Sequence, residues 1–270
     1  MSTTGTLHRP PRRPGLILGL LALSQVGVAW LWWRWGWTVG LPAMLATHLA
    51  VVWATLYPRA TLLCPALSRL PTDERVVWLT IDDGPSADTA TMLDLLDRHG
   101  AKATFFLVGE RALAHPEAVQ AIRDRGHSIG NHSASHPDMR FWRLGPGAME
   151  DEIGRNQSIL TAITGDTPRW YRSVVGMTNP FVGLSLKRHS LARVAWSARG
   201  FDGVDCEPGK VLARITRDIA PGAIVLLHEG ATHGHNLVIL AQLLAWLDAQ
   251  GYRTVVPEPE GLRVPAVAVA

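Results

Sequence analysis

Two stretches near the start of the chain carry no formal charge: residues 16–33, and residues 39–57 with His48 as the one ionisable group. At 18 and 19 residues, each is long enough to cross a bilayer as a helix. After residue 75 the pattern changes to short apolar runs alternating with amphipathic segments. Strands are expected over 76–81, 103–108, 127–130, 169–172, 193–197, 223–227 and 252–256, rich in β-branched and aromatic residues. Between them helices are expected over 87–99, 116–125, 149–163, 181–188, 211–219 and 236–250. The first carries Met92, Leu95, Leu96 and His99 at helical spacing, with Asp88 placed to cap it and Gly100 to stop it. Strand and helix alternate, which predicts an α/β fold with a parallel sheet, closed as a barrel or left open.

The two charge-free stretches are joined by WLWWRWGW, five tryptophans around Arg34. Such a belt suits the interfacial turn of a helical hairpin. The alternative is a single buried or signal-type segment followed by a core helix. Arg9, Arg12 and Arg13 precede the first span, and Arg59, Arg69 and Arg75 follow the second. By the positive-inside tendency both ends face the cytoplasm of a bacterial inner membrane, with a periplasmic catalytic body as the alternative. The domain reading is a basic tail at 1–14, a transmembrane hairpin at 15–58, a Pro-punctuated linker at 59–74, a catalytic domain at 75–257 and an irregular tail at 258–270.

Composition adds little beyond this. The chain of 270 residues is 47% apolar and 18% charged, and the apolar excess sits in the first sixty residues. A net charge of +3 is scattered among acids after Tyr57, with no basic helix, so no nucleic-acid partner is expected. Cys64 and Cys206 are too few for a disulfide framework or a zinc knuckle.

Candidate chemistry gathers where strands end. The first strand runs into Asp82-Asp83-Gly84-Pro85. Read blandly this is a turn; read chemically, neighbouring residues of an extended chain point to opposite sides, so one acid can bind a cation while the other takes a proton. His132 and His136 follow the third strand at i, i+4 spacing, which on a helical turn places two imidazoles on one side. With a carboxylate they make a two-His, one-carboxylate site with open positions. Arg172 ends the fourth strand, Asp202 follows the fifth and His228 ends the sixth. In a parallel barrel those ends share one face, where active sites are built.

The ordered set TIDDGP, HSASH, an Arg-led fourth-strand motif, an acidic fifth-strand loop and VLLHE resembles the polysaccharide deacetylases, the nodulation-type carbohydrate esterases of family four. The resemblance covers residues 75–257, roughly two thirds of the chain. It implies a distorted (β/α)7 barrel that removes the N-acetyl group of an amino sugar with a divalent metal, commonly zinc. By motif position Asp83, His132 and His136 would hold the metal, Asp82 would be the general base and Arg172 would orient it. His228 would be the general acid with Asp202 behind it, and a backbone N–H near Val175 would meet the oxyanion.

Several positions depart from that family's pattern. The fourth-strand motif, Arg172-Ser173-Val174-Val175-Gly176, lacks the usual proline and tyrosine. Arg199 stands where an acid is common, and Gly203 where tryptophan is common. These changes touch the substrate groove more than the metal set. The expected substrate is an amino-sugar glycan, lipid-linked if the cytoplasmic orientation holds. An O-acetyl ester, a non-sugar amide or a catalytically silent glycan-binding subunit are the alternatives. His233 and His235 are read as part of a Gly-rich loop, Trp142 and Trp170 as sugar-stacking or buried, Phe105 and Phe106 as core, and Asp138 as surface before metal-site partner.

Overall fold

The computed structural model describes residues 7–258 and 261–263. Helices α1 (Pro14–Trp35) and α2 (Trp37–Leu56) form an antiparallel hairpin reversed at Gly36, whose φ of 75° is left-handed and free of a Cβ penalty. At 1.5 Å per residue each spans roughly 30 Å. Their surface is apolar all round, with Leu23 65% and Trp33 80% exposed. Both helices are long and apolar enough to cross a membrane. Gly40 lies against Trp32, where an added Cβ would come within 2.6 Å of the Trp32 Cβ. Small residues permit such close helix approach.

The body follows as β1 (Val76–Gly84), α3 (Thr89–Arg98), β2 (Ala103–Leu107), α4 (Gly109–Ala114), α5 (Pro116–Asp124), β3 (Ser128–Asn131), α6 (Pro146–Thr164) and β4 (Trp170–Tyr171). It continues as α7 (Val182–Arg188), β5 (Ala192–Arg193), β6 (Ala198–Arg199), α8 (Pro208–Asp218), β7 (Ala223–His228), α9 (Asn236–Ala249) and β8 (Arg253–Thr254). The parallel strands run β5-β4-β3-β2-β1-β7-β6, with β8 beside the start of β1. This is the expected α/β curl, with helices packed outside. One core lies between the sheet and α3, α5, α8 and α9, around Leu79, Phe105, Val225 and Leu243. Another fills the interior around Trp78, Phe106, Trp170 and Trp196.

Four local expectations are corrected. The single strand expected over 193–197 is broken into β5 and β6, which form the two sheet edges and do not pair. Residues 66–70, within the stretch read as a Pro-punctuated linker, fill that gap: the Leu67 N–H donates to the Arg193 carbonyl, its carbonyl accepts from the Ala195 N–H, and the Leu70 N–H donates to the Gly222 carbonyl. Buried edge groups need such partners. The last strand shrinks to β8. The chain then turns into an antiparallel pair, β9 (Val256–Glu258) with β10 (Gly261–Arg263), of which Glu258 and β10 lie in the segment expected to be irregular. Finally, Asp88 makes no side-chain cap at α3; its carboxylate accepts from the Gly230 N–H instead.

The hairpin is docked on the body. The Thr178 N–H donates to the Thr55 carbonyl at 3.0 Å. A Cβ at Gly176 would strike Pro58 at 2.8 Å, and one at Gly183 would meet Pro14 at 3.1 Å. Buried Arg193 donates to the carbonyls of Ala60 and Cys64, which fixes the chain leaving α2.

Candidate active site

Register explains why the reactive residues meet. β1 pairs with β7 so that Asp82 stands opposite His228, and with β2 so that Asp82 faces Phe106. β3 and β4 end at paired Asn131 and Tyr171, which delivers His132 and Arg172 at the same level. A cleft of about 270 Å³ opens there, lined by Asp82, Asp83, His132, His136 and His228 together with Val175, Trp196 and Arg199.

The two adjacent acids do not point to opposite sides. The β1–β2 register shifts between Asp82 and Gly84, and Asp83 takes φ 72°. This bulge breaks strand alternation and turns both carboxylates towards His132, whose Nε2 lies 3.4 Å from Asp83 Oδ1 and 3.8 Å from Asp82 Oδ2. Nor do His132 and His136 sit on a helical turn. Residues 132–136 are a loop with left-handed backbone at Ser133 and His136. Their rings nevertheless lie 5.0 Å apart.

The donor set fits a cation. His132 Nδ1 lies 2.8 Å from the Arg172 carbonyl, an acceptor only, so Nδ1 carries the hydrogen and Nε2 presents its lone pair. His136 is set in the same way by Asp138, 2.9 Å from its Nδ1. Asp138, read from sequence as surface, therefore partners a candidate ligand, as outer-shell carboxylates do in metal sites. Asp83 Oδ1 is buried with no hydrogen bond and lies 3.1 Å from His136 Nε2. Asp83, His132 and His136 thus offer three ligand atoms within 4.8 Å of one another. Burial works against the charge on Asp83, but His132 and His136 hold its carboxyl well below the usual range.

On one flank, Arg172 donates to Asp82 Oδ1 and to Thr80 Oγ1, both at 2.7 Å. Its remaining nitrogens reach the carbonyls of Val194 and Ala195, and the guanidinium lies over Phe106 at 4.3 Å. Asp82 keeps Oδ2 facing the cleft. On the other flank, buried Asp202 accepts from the His228 backbone N–H at 2.6 Å and lies 3.0 Å from its Nδ1. Burial alone would lower the His228 pKa; Asp202, with Asp82 and Asp83, outweighs it and raises it to about 9. The imidazole is therefore protonated at neutral pH, with Nδ1–H on Asp202 and Nε2–H left for the cleft.

Sequence reading missed the scaffolding. Glu152 on α6 accepts from the backbone N–H groups of Ala134 and Ser135 and from the Ser135 hydroxyl, between 2.6 and 3.0 Å. It shapes the loop between the two histidines. Asn156 and Gln157 anchor Asn131 in the same way. The signal was present: three polar residues on the face of a helix otherwise buried through Met149, Ile153 and Leu160. Glu229, directly after His228, is buried and accepts from Ser86 and Thr89; burial raises its pKa. An added Cβ at Gly84 would fall 1.9 Å from Glu229 Oε1, so this acid also fixes the turn after β1.

The other sequence candidates resolve simply. His233 Nε2 lies 2.8 Å from the Asp202 carbonyl, and as a carbonyl only accepts, Nε2 is the donor. Trp170 is core, edge-on to Trp78, as are Phe105 and Phe106. Trp142 is exposed and lies outside the cleft lining.

A family model described as polysaccharide deacetylase matches residues 69–194. A chitooligosaccharide deacetylase of Bradyrhizobium is 34% identical, aligned over 60% of this chain and 74% of its own. A peptidoglycan-N-acetylglucosamine deacetylase of Listeria monocytogenes is 31% identical over 71% of this chain but only 40% of its own length. Among solved structures, a family 4 carbohydrate esterase from Streptomyces lividans in complex with acetate superposes with TM-score 0.64, at 29% identity, over 72% of this chain and 98% of that one. A pseudoenzyme of the same family from Bacillus anthracis has TM-score 0.64 at 27% identity, over 70% of this chain and 66% of its own.

Proposed function

The chain belongs to the polysaccharide deacetylase family, whose relatives are named as deacetylases of amino-sugar glycans, and on that premise we propose that it is a metal-dependent hydrolase removing an N-acetyl group from an amino sugar at a membrane surface. The observation that carries this is the meeting, in one cleft, of three convergent ligand atoms, an acid held by Arg172 and an imidazole held by Asp202.

An amide is a poor electrophile with a poor leaving group. Asp83, His132 and His136 would hold a divalent cation, zinc being common for such donors, and when bound it would supply polarisation of the acyl oxygen and a more acidic water. Asp82 accepts that water's proton at Oδ2, because Arg172 occupies Oδ1. His228 donates its Nε2 proton to the departing amine, while Asp202 holds the ring and its positive charge. In this reading the oxyanion is met by the backbone N–H of Val175, a residue held left-handed at φ 45° on the cleft wall. A left-handed β-branched residue is rare and strained. A silent role like that of the pseudoenzyme relative finds no support here, since base, acid and ligand set are complete.

The membrane setting is part of the same proposal. Two apolar helices with exposed surfaces run straight into the body, and the positive-inside tendency puts that body in the cytoplasm. The test is acetate release from N-acetylated and O-acetylated chito-oligomers by the full chain in detergent. Release from the N-acetyl substrate by wild type, lost in His228→Ala, supports the reading. Equal release by both proteins contradicts it, and release from the ester alone shows an esterase. Topology reporters after Ser68 and Arg34 test the orientation: cytoplasmic at Ser68 and external at Arg34 is expected, and the reverse contradicts it.

A further inference from the structure

Three arginines follow one another along β4 to β6, and they differ in one respect. Arg172 donates to four acceptors, and Arg193 to the carbonyls of Pro65, Ala60 and Cys64. The Arg199 side chain makes no hydrogen bond and no ion pair among the described residues, and its Nε is buried without an acceptor. It is not loose, however. The guanidinium lies 3.9 Å from the Phe201 ring centroid and 5.1 Å from that of Trp196, so its plane is set by stacking. It lines the same cleft as the candidate ligands and His228.

Arg199 is half-buried, and its buried Nε is a donor left unpaired, which is costly unless something arrives to accept from it. The planar fork matches an oxyanion bidentately. Besides the His228 imidazolium, which Asp202 already holds, the charged side chains of the cleft wall are the acids Asp82, Asp83 and Asp138, which repel anions and leave the Arg199 end as the place for one. That end also borders the hairpin. Gly176, on the cleft wall, packs between Trp196 and Pro58, two residues past the end of α2, and Thr178 is bonded to Thr55 within it. The lip on this side is apolar and exposed at Val175, Phe201 and Val204.

We propose that Arg199 receives the phosphate of a sugar joined to a lipid through a phosphate ester, the lipid chain leaving over the Val175–Phe201 lip towards α2. The inference rests on the deacetylase reading for the reacting group but is tested without turnover. Binding of N-acetylglucosamine 1-phosphate, of its prenyl diester and of the neutral methyl glycoside is measured by calorimetry on the full chain in micelles. Wild type is expected to favour both phosphorylated ligands over the neutral one, and the prenyl ester over the free phosphate. Arg199→Gln should lose about 10-fold or more of affinity for the phosphorylated pair alone, with Arg199→Lys recovering part of it. Asp83→Asn should keep the preference, because the phosphate is not bound through a metal. An Arg199→Gln protein that keeps the preference, or an Asp83→Asn protein that loses it, overturns the proposal. Equal binding of free phosphate and prenyl ester overturns the lipid assignment and leaves a soluble sugar phosphate. Failure of acetate release alongside an intact phosphate preference faults the deacetylase reading alone.

Discussion

The two walls of the cleft are built on different terms. On the β1, β3 and β7 side four of the five reactive groups are held by a partner behind them: Asp82 by Arg172, His132 by a carbonyl, His136 by Asp138 and His228 by Asp202. On the wall that follows β4 and β6, Val175 and Phe201 are exposed in left-handed backbone, and the Arg199 side chain has no hydrogen-bond partner among the described residues. The first wall is preorganised for one reaction. The second is shaped for something outside the protein. This is the division expected when chemistry is kept and substrate preference changes.

If the first wall does the chemistry, removing a ligand from it should have the largest effect. Asp83→Asn is expected to lower kcat/KM by about 10³-fold, the several kcal/mol of polarisation a metal supplies, together with loss of bound metal by elemental analysis. Asp202→Asn should cost about 10²-fold in kcat and also move the pH profile. His228 is active in its charged form and holds its proton to about pH 9. Activity is therefore present below that value and lost as pH rises through it. Without the Asp202 charge the alkaline limb should shift to lower pH; an unmoved limb would remove His228 from the acid role. Glu152→Gln should weaken metal binding by about 10-fold, through the loop between the histidines, as read by competition with a chelating dye. The smallest effect is expected on the second wall. Val175→Tyr should lower KM for a neutral chito-oligomer by less than about 10-fold, the worth of an added aromatic contact, with kcat changed less.

How much of this was legible in the sequence follows the same division. Asp82, Asp83, His132, His136, Arg172, Asp202 and His228 could be named because strand ends are readable from apolar runs, and parallel strands bring their ends together. How they meet could not be read. Alternation placed Asp82 and Asp83 on opposite sides, yet a one-residue bulge with left-handed backbone turns both inward. Spacing suggested a helical turn for His132 and His136, but left-handed backbone at Ser133 and His136 excludes one, and Glu152, sixteen residues after His136, holds the loop by the Ala134 and Ser135 N–H groups. Residues 66–70 looked like linker because nothing local shows that a sheet edge elsewhere lacks a partner. Arg199 was visible only as a departure from a pattern; that its donors find no acceptor is a property of the packed cleft.

The central claim is that this cleft hydrolyses an N-acetyl group with a metal held by Asp83, His132 and His136. Its most direct test is acetate release from an N-acetylated chito-oligomer by the purified full chain, measured with metal content before chelation, after it and after reloading with zinc. The expected result is stoichiometric divalent metal at the start, loss of metal and activity together, and recovery of both on reloading. Undiminished acetate release from metal-free protein would contradict it.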